Sequence, residues 1–114
     1  MKESDISRTI QIAASKAGHR LFRNQVGKAE LKDGTWVAFG LGEFTSDLIG
    51  IASSGKFLAV EVKTPKAYAA IQNGKYTKRT RGQQNFIDTI NRIGGIAFFS
   101  YSDEHFLDNI ITRL

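Results

Sequence analysis

Phe57-Leu58-Ala59-Val60-Glu61-Val62-Lys63 is an apolar run that carries one acid and one lysine two residues apart. In an extended strand, residues i and i+2 share a face. Glu61 and Lys63 therefore point to one side, while Val60 and Val62 point to the other and pack under a helix. Desolvating two charges on a buried strand costs several kcal/mol unless they find partners. The run needs a companion charge, and Asp47 in Thr45-Ser46-Asp47-Leu48-Ile49-Gly50 supplies it. The segment from Asp47 to Ala52 reads as a strand and Lys56 to Lys63 as the next, with a turn at Ser53-Ser54-Gly55 between them. So short a turn makes the pair antiparallel and brings Asp47 toward Glu61.

Outward from this pair, the chain reads as alternating helices and strands. Ile6, Ile10, Ala13, Ala14 and Ala17 recur at helical spacing and stop at Gly18, which predicts an opening amphipathic helix. Glu3 lies one turn before Ile6; as a first-turn acid it also complements the helix dipole. The stretch from His19 to Gly27 is strand-like but polar, Lys28 to Gly34 reads as a turn region, and Thr35 to Phe39 as a second strand, with Asp33-Gly34 able to close a hairpin. Lys66 to Arg81 carries Lys66, Lys75, Lys78, Arg79 and Arg81 with no acid and reads as a long basic loop. Phe86, Ile87, Ile90 and Ile93 predict a helix from Gly82 to the Gly94-Gly95 stop. Ile96 to Tyr101 reads as a buried strand, and Asp103 to Arg113 as a last helix capped by Ser102. The expected fold is a single α/β domain spanning residues 1–114, in the order α-β-β-β-β-α-β-α, with helices flanking a mixed sheet.

Composition narrows the function classes. A 114-residue chain that is 41% hydrophobic can bury one core, and its net charge of +5 favours a polyanionic partner such as nucleic acid. Without cysteine there is no disulfide, thiolate metal site or Cys nucleophile. The charged opening residues lack the apolar core of a secretion signal, and no apolar run approaches the ~20 residues of a spanning helix. The expectation is a protein of the cytoplasm, neither secreted nor held in a membrane.

Chemistry follows from the acids. Mg²⁺ and Mn²⁺ take oxygen ligands, commonly one or two carboxylates with waters and substrate phosphate. Asp47 and Glu61 fit as the carboxylates, with the backbone carbonyl of Val62 as a third oxygen. A cation there offsets charge on a phosphodiester and acidifies water, and Lys63 then orients or deprotonates the attacking water or steadies the oxyanion. By spacing alone Glu61 and Lys63 read equally well as a solvated pair on an edge strand. Asp47 in antiparallel register and the basic segment favour the metal site. His19 and His105 have no partner at ligand spacing and read as surface or helix-end residues. Trp36 and Phe39 read as core, as does the Phe98-Phe99 pair.

Five blocks then converge on a family. Glu3-Ser4-Asp5-Ile6, Phe22-Arg23-Asn24-Gln25-Val26-Gly27, Ser46-Asp47-Leu48-Ile49-Gly50, Glu61-Val62-Lys63-Thr64-Pro65, and Gln83-Gln84-Asn85-Phe86 before Gly94-Gly95 occur in this order over nearly the whole chain. The sequence resembles a virus-type replication-repair nuclease (VRR-NUC) domain, a branch of the PD-(D/E)xK restriction-endonuclease-like superfamily, and in particular its free-standing phage and bacterial members. The resemblance implies that Glu3 joins the metal site from the first helix, that Asp47 and Glu61 are the main ligands, that Lys63 is the catalytic lysine, and that Gln83 reaches in from the second helix. Ser46 stands where the superfamily name has proline. Gln84 adjoins Gln83, and the Gln-x-x-Phe spacing to Phe86 favours Gln83. Arg23 and Asn24, with Lys66, Lys75, Lys78, Arg79 and Arg81, are the expected nucleic-acid contacts, although Asn24 also suits a turn near Gly27. The expected function is a Mg²⁺- or Mn²⁺-dependent DNA nuclease acting on branched DNA such as Holliday junctions, as a homodimer joined through Thr35 to Phe44. A non-catalytic nucleic-acid-binding module on the same fold is the alternative.

Overall fold

A computed structural model describes all residues, Met1 to Leu114. The elements are α1 (Glu3–Lys16), β1 (Arg20–Arg23), β2 (Gly27–Glu30), β3 (Trp36–Phe39), β4 (Leu48–Ile51), β5 (Phe57–Val62), α2 (Pro65–Gln72), α3 (Lys78–Arg92), β6 (Ile96–Ser100) and α4 (Asp103–Ile111). Four strands form a mixed sheet in the order β1-β4-β5-β6, in which β4 lies antiparallel to β1 and β5, and β6 runs parallel to β5. A parallel return needs a crossover, and α2 and α3 provide it. β2 and β3 form a separate antiparallel hairpin.

Strand alternation sorts the core into two layers. Leu58, Val60 and Val62 of β5 pack with Ile6, Ile10 and Ala14 of α1 and with Phe106 and Ile110 of α4. Ala59 faces the other way, toward Ile71 of α2, Ile87 of α3, and Ala97 and Phe99 of β6. Glu61 shares that second face by the same period of two. At Gly50 an added Cβ would collide with the Arg20 carbonyl, so the close approach of β1 to β4 requires glycine there.

The expected element order needs three corrections. The basic segment is no loop: Thr64 caps α2, its hydroxyl accepting from the Ala67 N–H, and Pro65 sits at the first helical position. Both are start signals, since the proline lacks an N–H that would be left unpaired there. Thr77 likewise caps α3 through the Thr80 N–H, so the helix begins at Lys78, four residues before the expected start at Gly82. Lys28 to Gly34 is no mere turn, because residues 27–30 pair with β3 and only the Asp33-Gly34 region turns. There the Asp33 carboxylate accepts from the Thr35 N–H, and Gly34 has φ 88°. Trp36 and Phe39 are not core, being 63% and 45% exposed, since no helix covers the hairpin. The chain extends 48 × 32 × 31 Å. No helix is long and apolar enough to cross a membrane.

Candidate active site

The β4–β5 register pairs Leu48 with Val60, which sets Asp47 beside Glu61 one step beyond the ladder. Where the next backbone bond would form, the Asp47 Oδ2 accepts from the Val62 N–H at 3.0 Å. The carboxylate is thus held at the end of the ladder by a donor the sheet leaves free. The Val62 carbonyl leaves the strand on the same side as its N–H, toward Asp47.

Glu61 is 3% exposed. Burial, a hydrogen bond to the Asp47 carboxyl, and the charges of Asp47 and Glu3 push its carboxyl up to about 10, with Lys63 opposing them. Without a cation beside it, the buried Glu61 carboxyl therefore favours its protonated form at neutral pH. Lys63 is tied to the end of β6 by its N–H, which donates to the Ser100 carbonyl at 2.9 Å, and its Nζ lies 5.9 Å from the centre of the Phe99 ring. Ser100 is in turn fixed by His105, whose Nδ1 lies 3.0 Å from the Ser100 Oγ and whose Nε2 lies 3.1 Å from the Tyr68 hydroxyl.

A cavity of about 410 Å³ opens over this pair, walled by Asp47, Glu61, Gln83, Arg79, Asn24 and Phe44 among others. Gln83 is buried, and its Oε1 has no hydrogen-bond partner. Gln84 turns away and donates to Asp88 at 2.8 Å. Of the two adjacent glutamines, Gln83 is the one in the cavity wall. A buried unpaired carbonyl oxygen costs about 1–3 kcal/mol, so its position beside two carboxyls calls for a partner in the cavity. The neighbouring loop is pinned there by Phe44, which adopts φ 67° and lays its ring against Gly82, where an added Cβ would collide with it. A left-handed aromatic residue is strained.

Glu3 does not touch the carboxyl pair closely enough to complete a cluster, and no three acids or histidines converge on one point. It acts on Glu61 through space and lines a second cavity, of about 310 Å³, with Asp47 and Val62. Asn24 proves to be a loop anchor. Its amide donates to the Thr45 hydroxyl and the Ser46 carbonyl, each at 2.9 Å, its Oδ1 accepts from the Leu41 N–H, and its own N–H donates to the Asp47 carbonyl. Those bonds hold the segment that carries Asp47. Arg23 is exposed and walls the second cavity. Lys66, Lys75, Lys78 and Arg81 are exposed on α2, the start of α3 and the segment between them, and only Arg79 reaches the cavity wall.

Sequence reasoning missed Phe44 and the anchoring role of Asn24, because both depend on what a loop meets in space. It also misplaced His19, which is buried at 5% exposure; its Nδ1 accepts from the Ser53 N–H and its ring meets Phe106 edge-on. Burial lowers the pKa of His19 and of His105, in the second case against the opposing charge of Asp108. No family model matches this sequence, and no curated protein sequence is significantly similar to it.

Proposed function

We propose that this chain is a divalent-metal-dependent nuclease with a restriction-endonuclease-like core, hydrolysing DNA phosphodiester bonds. The observation that carries the reading is the pair of the buried Glu61 and the half-buried Asp47, two carboxyls held together at the end of a sheet with Lys63 on the face of Glu61. Burying like charges side by side is unfavourable by several kcal/mol unless a cation or a proton intervenes. The donor set fits Mg²⁺ or Mn²⁺: Asp47 and Glu61 are hard oxygen donors in one cavity wall that also includes Gln83, and strand geometry directs the Val62 carbonyl toward Asp47. Two carboxylates suffice for such an ion, which keeps waters and substrate phosphate for the rest. Glu3 contributes negative potential from α1.

Bound there, the cation supplies positive charge for the phosphate oxygens and makes water more acidic. The remaining work belongs to the chain. Asp47 is aimed by the Val62 N–H, and Glu61 would hold the cation as a carboxylate, its proton passing to solvent. Lys63 offers its ammonium to charge building on the phosphate, or its amine to the attacking water. Gln83 accepts a hydrogen bond in the cavity and so fixes orientation. Arg79 at the rim, with Lys66, Lys75, Lys78 and Arg81 on α2 and α3, contacts flanking phosphates without reading bases. The exposed apolar side chains of Trp36, Val37, Phe39 and Leu41 support a homodimer through the hairpin, and a two-fold pair of sites suits branched DNA such as a four-way junction. The protein then serves replication, repair or recombination in the cytoplasm.

The test is cleavage of linear, flap and four-way DNA by purified protein in Mg²⁺, Mn²⁺ or EDTA. The reading expects metal-dependent cleavage, greatest on the branched substrates, and binding without turnover under every metal condition would instead establish the non-catalytic module.

A further inference from the structure

The second cavity, on the α1 side of Asp47, shares Glu3, Asp47 and Val62 with the proposed metal site and adds residues that the chemistry above does not use. Its wall is polar except for Val62 and draws Ser7, Arg8 and Gln11 from α1, Arg23 from β1, and Gln25 from the following loop. Arg8 and Arg23 enter from different elements, and both reach solvent. Two guanidiniums with hydroxyl and amide donors around a small polar hollow match a phosphate group, which takes bidentate bonds from arginine and further bonds from neutral donors. An apolar ligand would find almost no apolar wall. At about 310 Å³ the space holds a nucleotide-sized group and excludes a duplex.

Its place relative to the first cavity is informative. Asp47 and Asn24 line both. The two hollows therefore adjoin at these residues. Successive phosphates of one strand are joined through a single sugar, so adjoining hollows suit neighbouring phosphates. We propose that the Arg8–Arg23 cavity is a phosphate subsite, holding the phosphate next to the scissile one on the same strand. It rests on the nuclease reading for the meaning of "scissile", and it adds the register in which the strand lies. An internal phosphodiester and a terminal phosphate present the same chemistry to the two arginines.

The experiment measures binding of single strands labelled on an internal base to the wild-type protein in EDTA by fluorescence anisotropy across a salt series. Three probes separate the sources: a 5′-phosphorylated strand, the same strand with a 5′-hydroxyl, and a closed circle. Arg8→Ala and Arg23→Ala are each expected to weaken binding about tenfold and to flatten the log-log salt slope by ~0.7, the value for one contact to a single strand. Arg92→Ala, at the far end of α3, serves as the comparison. A preference of the wild type for the 5′-phosphate that both variants lose assigns the cavity to a terminal phosphate. Equal binding of circle and linear strand, weakened alike by both variants, assigns it to an internal one. The subsite is overturned if Arg8→Ala and Arg23→Ala match Arg92→Ala in affinity and slope while thermal melts show all three folded. Absence of cleavage in Mg²⁺ and Mn²⁺ would remove the nuclease reading and leave these binding differences legible. Normal wild-type cleavage with unchanged binding by the arginine variants would remove the subsite alone.

Discussion

β5 and β3 are both short apolar strands, yet they meet opposite environments. From Leu58 to Val62 every residue of β5 is buried, the charged Glu61 included, whereas every residue of β3 is exposed and Trp36 reaches 63%. Hydropathy alone would order them the other way at these two positions. The difference lies in what covers each strand. β5 is central, paired on both edges and roofed by α1 and α4 on one face and by α2 and α3 on the other. β3 has one partner, β2, and no helix above it. Apolar composition nominates a strand, and topology decides whether it is buried.

The largest effect that sharpens this contrast is on catalysis. Asp47→Ala, Glu61→Ala and Lys63→Ala are each expected to lower cleavage by ~10²-fold or more with only modest loss of DNA binding, because each removes part of one metal-and-water device. Folded Glu61→Ala protein that cleaves normally would strip β5 of its functional assignment. Next is the core itself. Leu58→Ala should cost about 2–5 kcal/mol in urea unfolding, and Val37→Ala on β3 no more than about 0.5 kcal/mol. Equal costs would mean that the hairpin is covered in solution.

A third prediction concerns the buried acid and pH. Folded Glu61 keeps its proton up to about 10, while the unfolded chain releases it near the ordinary value of 4.5. Between those values the folded state binds more protons, so metal-free stability falls as pH rises. Thermal melts in EDTA should show a lower Tm at pH 8 than at pH 6, with a smaller drop in Glu61→Gln. Added Mg²⁺ should raise the wild-type Tm more at pH 8, where deprotonating the ligand costs less. A wild type and a Glu61→Gln variant with the same pH slope would disprove the raised pKa of Glu61. The smallest expected effect is on folding of the hairpin variant Trp36→Ser/Phe39→Ser, which should leave the monomer's Tm nearly unchanged but convert a dimer to monomer by light scattering. Wild-type protein that is already monomeric at micromolar concentration would end the dimer proposal.

Much of the arrangement was legible from local rules. The period of two along residues 57–63 sorted Val60 and Val62 from Glu61, the short turn at residues 53–55 implied the antiparallel register that sets Asp47 beside Glu61, and Gly18 and Ser102 marked helix ends. These signals act within a few residues, where backbone geometry and capping dominate. The Thr64-Pro65 and Thr77 caps were equally local, but a run of five cations in the same segment masked them as a loop.

Only the tertiary structure decided the rest. It exposed the hairpin, buried His19 against Phe106 of α4, put Gln83 and not Gln84 in the cavity wall, turned Asn24 into an anchor of the Asp47 loop, and brought Arg8 and Arg23 to the wall of one cavity. None of these is a property of a residue and its near neighbours. Each depends on which surfaces remain covered once helices have packed on a sheet, and burial of that kind is summed over contacts between segments distant in sequence.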